Sequence, residues 1–389
     1  MIRRLAFVST HTSPLAAPGA GDAGGMNVYV DAVARTFASM GIEVDVFTTR
    51  VDDGFPVMTD VVPGYRVIHV DAPGADRAER IGAFARGVAT WAIANRAHYD
   101  IIHSHYWLSA WAGVLLEETL KAPLVISFHT LGRTRDVGPG EPPQPLLRIA
   151  TETDVIARAG CVVASTPVEA ADLMEHYGAR PERVCVSPPG VDHGVFHPGP
   201  PRRSELGLPA GPLAAFVGRI QPLKGVDIAI EAIAGVPEGN LVVIGGPSGA
   251  AGDHELDRVQ AMADRIAPGQ VTFLPPFEHE AVADVFRSVD LVVVPSRAES
   301  FGLVAVEAQA CGAPVVAADV GGLAFSVADG ESGYLVRGDA VAEWTKRIGE
   351  ILGDPERRAR LSNGAIVHAS RFSWNVTAAR LLELYEGLV

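Results

Sequence analysis

The sequence predicts an α/β protein built from two Rossmann-like, doubly wound domains that face each other across a cleft. Short apolar runs without polar alternation are separated by longer amphipathic segments, a pattern typical of parallel sheets covered by helices on both faces. The chain has 389 residues, which is more than one hydrophobic core usually serves. Ligands of such sheets bind beyond the carboxyl ends of the strands, so two facing sheets are expected to form an inter-domain cleft.

The first domain is predicted over residues 1–198, the second over 199–372, and a last helix over 373–389. The strands expected in the first domain are residues 5–9, 44–48, 67–70, 101–104, 124–128, 161–165 and 184–187. A Pro-rich stretch at residues 197–203 has no periodicity and is predicted to be the linker. The strands expected after it are residues 213–217, 241–244, 271–273, 291–294, 315–317 and 334–336.

The net charge and the cysteine content of the chain limit the kinds of partner and the cellular compartment that can be expected. The chain carries 32 Lys plus Arg against 46 Asp plus Glu, and a net charge of −14 argues against a nucleic-acid surface. Its three cysteines are far apart in sequence and lack zinc-site spacing, which indicates buried thiols in a reducing compartment. No apolar run approaches eighteen residues, so no membrane span is expected. These features together predict a cytoplasmic protein.

The stretch of residues 294–314 carries the most specific pattern. An apolar strand runs into a short polar turn, and Ser300 is predicted to cap the helix that follows. The amides expected to point outward at the start of this helix are those of Phe301, Gly302 and Leu303. Because the positive end of the helix dipole lies at the same point, the sequence predicts an anion site there.

Two carboxylates bracket this helix start. Glu299 lies in the turn, and Glu307 follows Ser300 by seven residues, about 10 Å along the helix axis. Two carboxylates that cleave one glycosidic bond sit across a substrate rather than along one helix, so this spacing favours recognition of the two ends of one ligand. The alternative is a capped helix with a solvated glutamate on its outer face.

Positive groups and a glycine-rich loop occupy matching places in the two halves. Arg219 and Lys224 follow the strand at residues 213–217. The planar guanidinium of an arginine and the mobile ammonium group of a lysine together suit a diphosphate. The loop at residues 19–27, which includes Gly25, follows the first strand, where backbone amides can close on an anion. Two solvated surface cations and a flexible turn are the alternatives.

Three histidines end neighbouring strands of the first half. They are His103, His105 and His129. No Asp, Glu or Cys joins them at ligand spacing, so a polar pocket wall is favoured over a metal site, and no metal is expected. The alternative for one or more of them is an ordinary buried histidine.

These motifs resemble those of a known family. The motifs concerned are G-D-A-G-G-M-N-V-Y-V, H-S-H-Y-W-L-S, F-V-G-R-I-Q-P-L-K, G-G-P-S-G and E-S-F-G-L-V-A-V-E-A-Q-A-C-G, which cover nearly the whole chain. The set is similar to the retaining glycosyltransferases of family GT4, which have the GT-B fold, and within them to enzymes that transfer N-acetylglucosamine to inositol 3-phosphate. The resemblance implies a nucleotide diphosphate sugar as co-substrate, no required cofactor, a last helix that crosses back to the first domain, and a homodimer.

The resemblance also implies roles for individual residues. The residues implied in catalysis are Arg219, Lys224, Glu299 and His129. The residues implied in donor binding are Gly25, Arg219, Lys224, Glu299, Ser300, Phe301, Gly302, Leu303 and Glu307. The residues implied in acceptor binding are Asn27, Tyr106 and Thr130.

The acceptor is where the sequence departs from these relatives, which hold the acceptor phosphate with a Lys and an Arg. The loop at residues 71–77 offers only Arg77 for the Lys, and Leu147 aligns with the Arg, with Arg148 next to it. Since a buried dianion without cations is costly, the sequence predicts transfer from a UDP- or GDP-sugar to a small polar acceptor without phosphate, in specialised metabolism. The alternative is inositol 3-phosphate, with the alignment displaced by one residue.

Two more distant functions share these motifs. An epimerase or hydrolase of nucleotide sugars uses the same kind of donor site, and a regulator that binds nucleotide sugars without turnover needs only that site. Release of free nucleotide only when an acceptor is added separates the transferase from both.

Overall fold

The computed structural model describes residues 1–16, 23–52, 54–134, 145–247, 252–338 and 340–389. Part of the predicted glycine-rich loop, residues 19–22, and residues 248–249 of the G-G-P-S-G motif lie outside the described residues. The remainder contains two sheets, with the first strand of the second sheet starting at Leu213.

The first sheet has eight strands in the order β3-β4-β2-β1-β5-β6-β7-β8. The strands are β1 (Arg4–Val8), β2 (Glu43–Thr49), β3 (Met58–Val62), β4 (Tyr65–Val70), β5 (Ile101–His105), β6 (Leu124–Ser127), β7 (Cys161–Ala164) and β8 (Val184–Val186). The helices are α1 (Gly25–Ser39), α2 (Arg77–Ala94), α3 (Trp107–Leu120), α4 (Leu146–Arg158) and α5 (Pro167–Tyr177). Side chains of β1 alternate between two cores, since Leu5 and Phe7 pack with α1 while Ala6 and Val8 pack with α2 and α3.

The second sheet has six strands, all parallel, in the order β11-β10-β9-β12-β13-β14. The strands are β9 (Leu213–Val217), β10 (Asn240–Ile244), β11 (Val271–Leu274), β12 (Leu291–Val294), β13 (Val315–Ala318) and β14 (Gly333–Val336). The helices around this sheet are α6 (Val226–Ala234), α7 (Gly252–Ile266), α8 (His279–Ser288), α9 (Leu303–Ala310), α10 (Leu323–Ser326), α11 (Val341–Gly353) and α12 (Pro355–Ala369). Helix α13 (Trp374–Glu386) follows them in the chain. Two doubly wound α/β domains are therefore present, as the sequence predicts. None of the described helices combines the length and the apolar character needed to cross a bilayer.

One strand of the first sheet has no counterpart in the sequence prediction. β3 pairs antiparallel with β4 at the edge of the sheet and buries none of its five side chains fully. Antiparallel edge strands are common on otherwise parallel sheets. The apolar-run criterion finds strands that are buried on both faces, so it misses an edge strand of this kind.

The last helix packs on the first domain. The hydroxyl of Tyr385, in α13, lies 2.6 Å from Nδ1 of His103, in the middle of β5. The linker is held by the second domain, because the Arg203 side chain donates to the carbonyl of Ser288 at 2.5 Å and bonds Asp290 at 3.0 Å. We propose that the domain boundaries follow these contacts, at residues 1–198, 199–372 and 373–389.

Candidate active site

The strand order places one switch point in each sheet. In the first sheet the order reverses between β1 and β5, and in the second between β9 and β12. The loops that leave these four strands line a single cleft of about 1200 Å³ between the domains. A crevice at a switch point is where doubly wound sheets bind ligands.

Most of the predicted site residues lie on the wall of this cleft. Those that do are Gly25, Tyr106, His129, Thr130, Arg219, Lys224, Glu299, Ser300, Phe301, Gly302 and Leu303. Asn27 and Glu307 do not. The structure thus brings residues from both halves of the chain together, and it leaves two of them behind the wall.

The loop after β9 is folded tightly against the loop after β12. A Cβ atom on Gly225, whose φ is +69°, would stand 2.1 Å from the carbonyl oxygen of Pro295, so only glycine fits. Arg297 ties the same two loops, because its amide donates to the carbonyl of Leu223 and its guanidinium bonds Asp227 at 2.9 Å. Sequence reasoning missed Arg297, since its partner lies seventy residues earlier.

The positive groups of the second domain sit at this junction. Nζ of Lys224 lies 2.5 Å from Oε2 of Glu299, and each side chain is about one-fifth exposed. A Cβ atom on Gly24, in the first domain, would stand 3.7 Å from the Arg219 guanidinium, and one on Gly25 would stand 3.2 Å from Leu303. Backbone of the first domain therefore approaches both the cation and the helix start of the second.

The helix start differs from the prediction. Ser300 does not cap α9; the helix begins at Leu303, and Gly302 occupies the N-cap position with φ +95° and ψ +58°. The first backbone bonds of the helix run from Ala305 and Val306 to the carbonyl of Gly302, so the amides before Ala305 precede the hydrogen-bond ladder. The predicted amide cluster is present, but a left-handed glycine forms it in place of a serine cap.

Replacing Gly302 with alanine is expected to destabilise the fold and reduce turnover together. The left-handed backbone costs a non-glycine residue about 1–2 kcal/mol, and the new Cβ would meet Leu323 at 2.6 Å, adding about 1–3 kcal/mol. Gly330 is the matched control, since its φ is +76° with no neighbouring atom within 4 Å of a Cβ. Thermal unfolding should show a larger loss for Gly302→Ala than for Gly330→Ala; equal losses would mean that Leu323 moves aside.

Glu307 is buried in α9, with 8% of its surface exposed. Burial raises the pKa of its carboxyl to about 7. Leu303 and Val304 form the cleft wall at the start of this helix, and Glu307 lies a turn further along it. Its predicted contact with the donor stays a prediction.

Replacing Glu307 with glutamine should change how stability depends on pH. A carboxyl whose folded pKa is about 7, against about 4.3 unfolded, lowers stability as the pH rises from about 4.3 to 7, because the unfolded chain releases the proton first. The Glu307→Gln variant has no carboxyl at this position, so its stability lacks this pH dependence. Its melting temperature relative to wild type should therefore rise between about pH 4.3 and 7 and level off above pH 7. A difference that is constant with pH would contradict the raised pKa.

His129 follows β6 and lines the cleft on the side of the first domain. Its backbone φ is +61°, and Tyr106, which follows β5, has φ +78°. Both are conformations that non-glycine residues rarely adopt, and such strain often accompanies functional sites. Burial lowers the pKa of His129 to about 3, so its imidazole is neutral near pH 7.

Asn27 has a supporting place rather than a place in the cleft. Its side chain is 1% exposed. Its amide nitrogen donates to Thr12 Oγ1 at 2.8 Å and to the carbonyl of Ser13 at 2.5 Å, and its oxygen accepts from the Gly24 amide at 3.0 Å. Because these bonds use both amide hydrogens, Asn27 holds the loop before α1 rather than facing an acceptor.

Arg148 and Leu147 exchange the places that the sequence alignment assigns them. Leu147 is 46% exposed, whereas Arg148 is 2% exposed and its guanidinium lies 5.1 Å from the centre of the Tyr106 ring. Arg148 Nη2 donates to the carbonyl and to Oγ1 of Thr130, at 2.7 and 3.1 Å. One position along a helix turns a side chain by about 100°, so a slip of one residue changes which side chain of α4 is placed against Thr130.

A buried carboxylate holds Arg148. Oε1 of Glu152, which is fully buried, accepts from Arg148 Nε at 2.7 Å. Oε2 of Glu152 accepts from the Tyr177 hydroxyl at 2.5 Å and from the Gly132 amide at 3.0 Å. The i,i+4 spacing of Arg148 and Glu152 on α4 is the sequence signal that identifies this pair.

Among the residues that the structure describes, no group of three or more His, Cys, Asp and Glu side chains is arranged to hold a metal ion. At the cleft, the Glu299 carboxylate is paired with the Lys224 ammonium group.

Two Rossmann-like domains that meet across a cleft at their switch points form the GT-B architecture of glycosyltransferases. Residues 23–195 match Glycosyltransferase Family 4, and residues 202–368 match Glycosyl transferases group 1. The chain is 46% identical to a D-inositol 3-phosphate glycosyltransferase of Thermobispora bispora, over 99% of this chain and 94% of that protein. It is 43% identical to one of Nocardia farcinica, over 99% and 89%. The chain belongs to glycosyltransferase family 4 and is a glycosyltransferase.

Solved structures agree with this fold. Sucrose-phosphate synthase from Thermosynechococcus elongatus superposes with a TM-score of 0.93 at 30% identity, over 99% of both chains. Anabaena HepE in complex with UDP-glucose superposes with a TM-score of 0.79 at 20% identity, over 99% of both chains, and supports the fold alone.

The prediction that the acceptor carries no phosphate is wrong. Relatives between 41% and 46% identical over nearly the whole chain share the name D-inositol 3-phosphate glycosyltransferase. The physical source of the error is the phase of α4, because the prediction placed Leu147 where Arg148 lies beside Thr130.

Proposed function

We propose that this enzyme transfers a sugar, N-acetylglucosamine by resemblance, from a nucleotide diphosphate donor to D-inositol 3-phosphate. The observation that carries the proposal is that the buried Arg148 donates to Thr130 and lies over the Tyr106 ring, and that both of these residues line the cleft. A buried guanidinium behind the hydroxyl groups of the cleft wall adds positive charge on the side where a phosphate dianion would lie. The shared name of the 41–46% identical relatives supports the same acceptor.

The second domain supplies the donor half of the proposed site. The diphosphate would lie between Arg219, Lys224 and the amides at Gly302 and Leu303. Gly25 would allow the first domain to approach the diphosphate closely, and Ser300 and Phe301 would line the same helix start.

Two glutamates would bind the other parts of the donor. Glu299 would bind the sugar hydroxyls, and Glu307 would bind the ribose. The ion pair between Lys224 and Glu299 holds both side chains together, and the diphosphate and the sugar would meet beside this pair.

The first domain supplies the acceptor half. Arg148 donates to Thr130 Oγ1, and a guanidinium can only donate, so the hydroxyl proton of Thr130 points elsewhere and can bind a phosphate oxygen. Tyr106 supplies a second hydroxyl at the cleft wall. Arg77 lies 5.2 Å from the centre of the Trp107 ring, next to Tyr106, and would be the second cation.

The reaction needs no protein nucleophile. The bond between the anomeric carbon and the diphosphate oxygen breaks, the acceptor oxygen bonds to the same face of that carbon, and the acceptor proton passes to the departing phosphate. Arg219, Lys224 and the α9 amides would stabilise the charge that grows on the diphosphate. His129, kept neutral by burial, would contact the transferred sugar. Retention of configuration is the expected outcome.

One experiment tests the proposal. UDP-N-acetylglucosamine is incubated with the enzyme alone, with inositol, or with inositol 3-phosphate, and a GDP-sugar is run in parallel to identify the base. Release of nucleotide only with inositol 3-phosphate, giving an α-linked product by NMR coupling, is expected. Release without acceptor would indicate a hydrolase, and binding without release would indicate a regulator. Equal rates with inositol would show that the phosphate is not recognised.

Full activity in excess EDTA is also expected. The positive charge at the proposed diphosphate site comes from Arg219, Lys224 and backbone amides, whereas a metal-dependent site needs carboxylates clustered at the diphosphate. Activity that is lost in EDTA and restored by Mg²⁺ or Mn²⁺ would contradict this assignment.

We also propose that the enzyme is a cytoplasmic homodimer. The dimer rests on the family resemblance, and the location rests on the three free cysteines, of which Cys161 and Cys311 are buried. Light scattering coupled to size-exclusion chromatography tests the dimer, which should have twice the chain mass of 40.9 kDa.

A further inference from the structure

Two histidine rings at the acceptor wall are joined directly. Nδ1 of His105 lies 3.1 Å from Nε2 of His129. His105 is fully buried, and its other nitrogen, Nε2, has no hydrogen-bond partner among the described residues. Only His129 of the two lines the cleft.

The proton positions follow from this contact. Burial keeps the pKa of both imidazoles far below neutral pH, so each ring carries one proton. A proton on Nε2 of His105 would leave a buried N–H group without an acceptor. A proton on Nδ1 leaves only the lone pair of Nε2 without a partner. Orphaned buried N–H groups are the rarer and costlier case. His105 therefore donates from Nδ1, His129 accepts at Nε2, and the proton of His129 is on Nδ1.

The His105 ring is held in this orientation by its neighbours. The His103 ring lies 4.3 Å away between centroids, and Phe7 meets His105 edge-on at 5.1 Å. His103 is itself bonded to Ser127 at 2.9 Å and to Tyr385 of the last helix. A half-turn of the His105 ring would keep these ring contacts, but it would bring a carbon in place of Nδ1 toward His129 and lose the hydrogen bond between the two rings.

We propose that His105 is a positioning residue that fixes the tautomer of His129, so that His129 presents a neutral N–H donor at Nδ1 to an oxygen of the transferred sugar. The assignment of that oxygen to the transferred sugar rests on the proposed function, whereas the tautomer of His129 does not. A neutral donor of fixed direction suits a hydroxyl or carbonyl oxygen and avoids placing a third cation beside the diphosphate.

Long-range ¹H–¹⁵N NMR of the histidine-labelled, full-length protein without substrates tests the tautomer, with His129→Gln used to assign the signal. A protonated Nδ1 and an unprotonated Nε2 on His129 are expected. The opposite pattern, or averaging over both nitrogens, would overturn the proposal. Because no substrate is present, this result stands apart from the identity of the acceptor.

Two substitutions of His105, by side chains of nearly equal size, extend the test to activity. Asparagine at position 105 can still donate toward His129, whereas aspartate can only accept and would move the His129 proton to Nε2. His105→Asp should lower kcat by about 10- to 100-fold relative to His105→Asn, with unchanged affinity for free nucleotide. Equal losses in both variants would assign His105 a packing role and overturn the proposal. If His105→Asp does not fold, the wild-type spectrum decides.

Discussion

Replacing Lys224 with alanine is expected to lower kcat at saturating donor by about 10²- to 10³-fold, with little change in stability. The ammonium group lies at the cleft, 2.5 Å from Glu299, where charge would grow on the departing diphosphate. The pair is part-exposed, and such pairs contribute about 0–1 kcal/mol to folding, so unfolding temperature should change little. Arg219→Ala should behave in the same way, since Arg219 lies on the same wall.

A matched control is available in the same domain. Lys346 also pairs with a glutamate, Glu343 at 3.7 Å, but it is 56% exposed on α11. Lys346→Ala should keep wild-type turnover, which separates the loss of any lysine from the loss of this one. Wild-type turnover of Lys224→Ala with saturating donor would mean that the diphosphate lies elsewhere.

The sequence predicts the sheets well because most of their strands are buried on both faces. Each predicted strand of the second domain lies within one residue of the observed bounds of β9 to β14, and their apolar character comes from their own residues. β3 differs, because it forms by pairing with β4 and carries no continuous apolar run. A strand that depends on its partner has no local signal to detect.

The sequence predicts which loops form the site. It does not predict where the helices begin or which of their side chains face the site. Strand ends locate the cleft, which is why Arg219, Lys224 and His129 are found together. The start of α9 is displaced from Ser300 to the Gly302 cap. In α4 the residue that contacts Thr130 is Arg148 rather than Leu147. Each helix phase is fixed by distant contacts that sequence spacing does not contain. They are Leu323 against Gly302, and Thr130 and Glu152 against Arg148.

Removing Arg148 is expected to affect both folding and acceptor choice. Arg148→Ala leaves the buried Glu152 carboxylate without its cation, and breaking a buried pair costs about 3–5 kcal/mol. Arg158→Ala on the same helix is the control, because Arg158 also pairs with a carboxylate four residues away, Asp154, and both are more than half exposed. That variant should unfold and turn over like the wild type.

The acceptor effect is separated from the folding effect by a second variant. Arg148→Leu combined with Glu152→Leu removes both buried charges, so it should be more stable than Arg148→Ala. It still lacks the guanidinium, and a charge-assisted bond contributes about 1.5–3 kcal/mol, so kcat/KM for inositol 3-phosphate should fall by about 10- to 150-fold. The rate with unphosphorylated inositol, however slow, should not fall in proportion, because that acceptor has no dianion to bind. If the double variant prefers inositol 3-phosphate as strongly as the wild type, the phosphate is held by other groups, and Arg77 beside Trp107 is the next residue to replace.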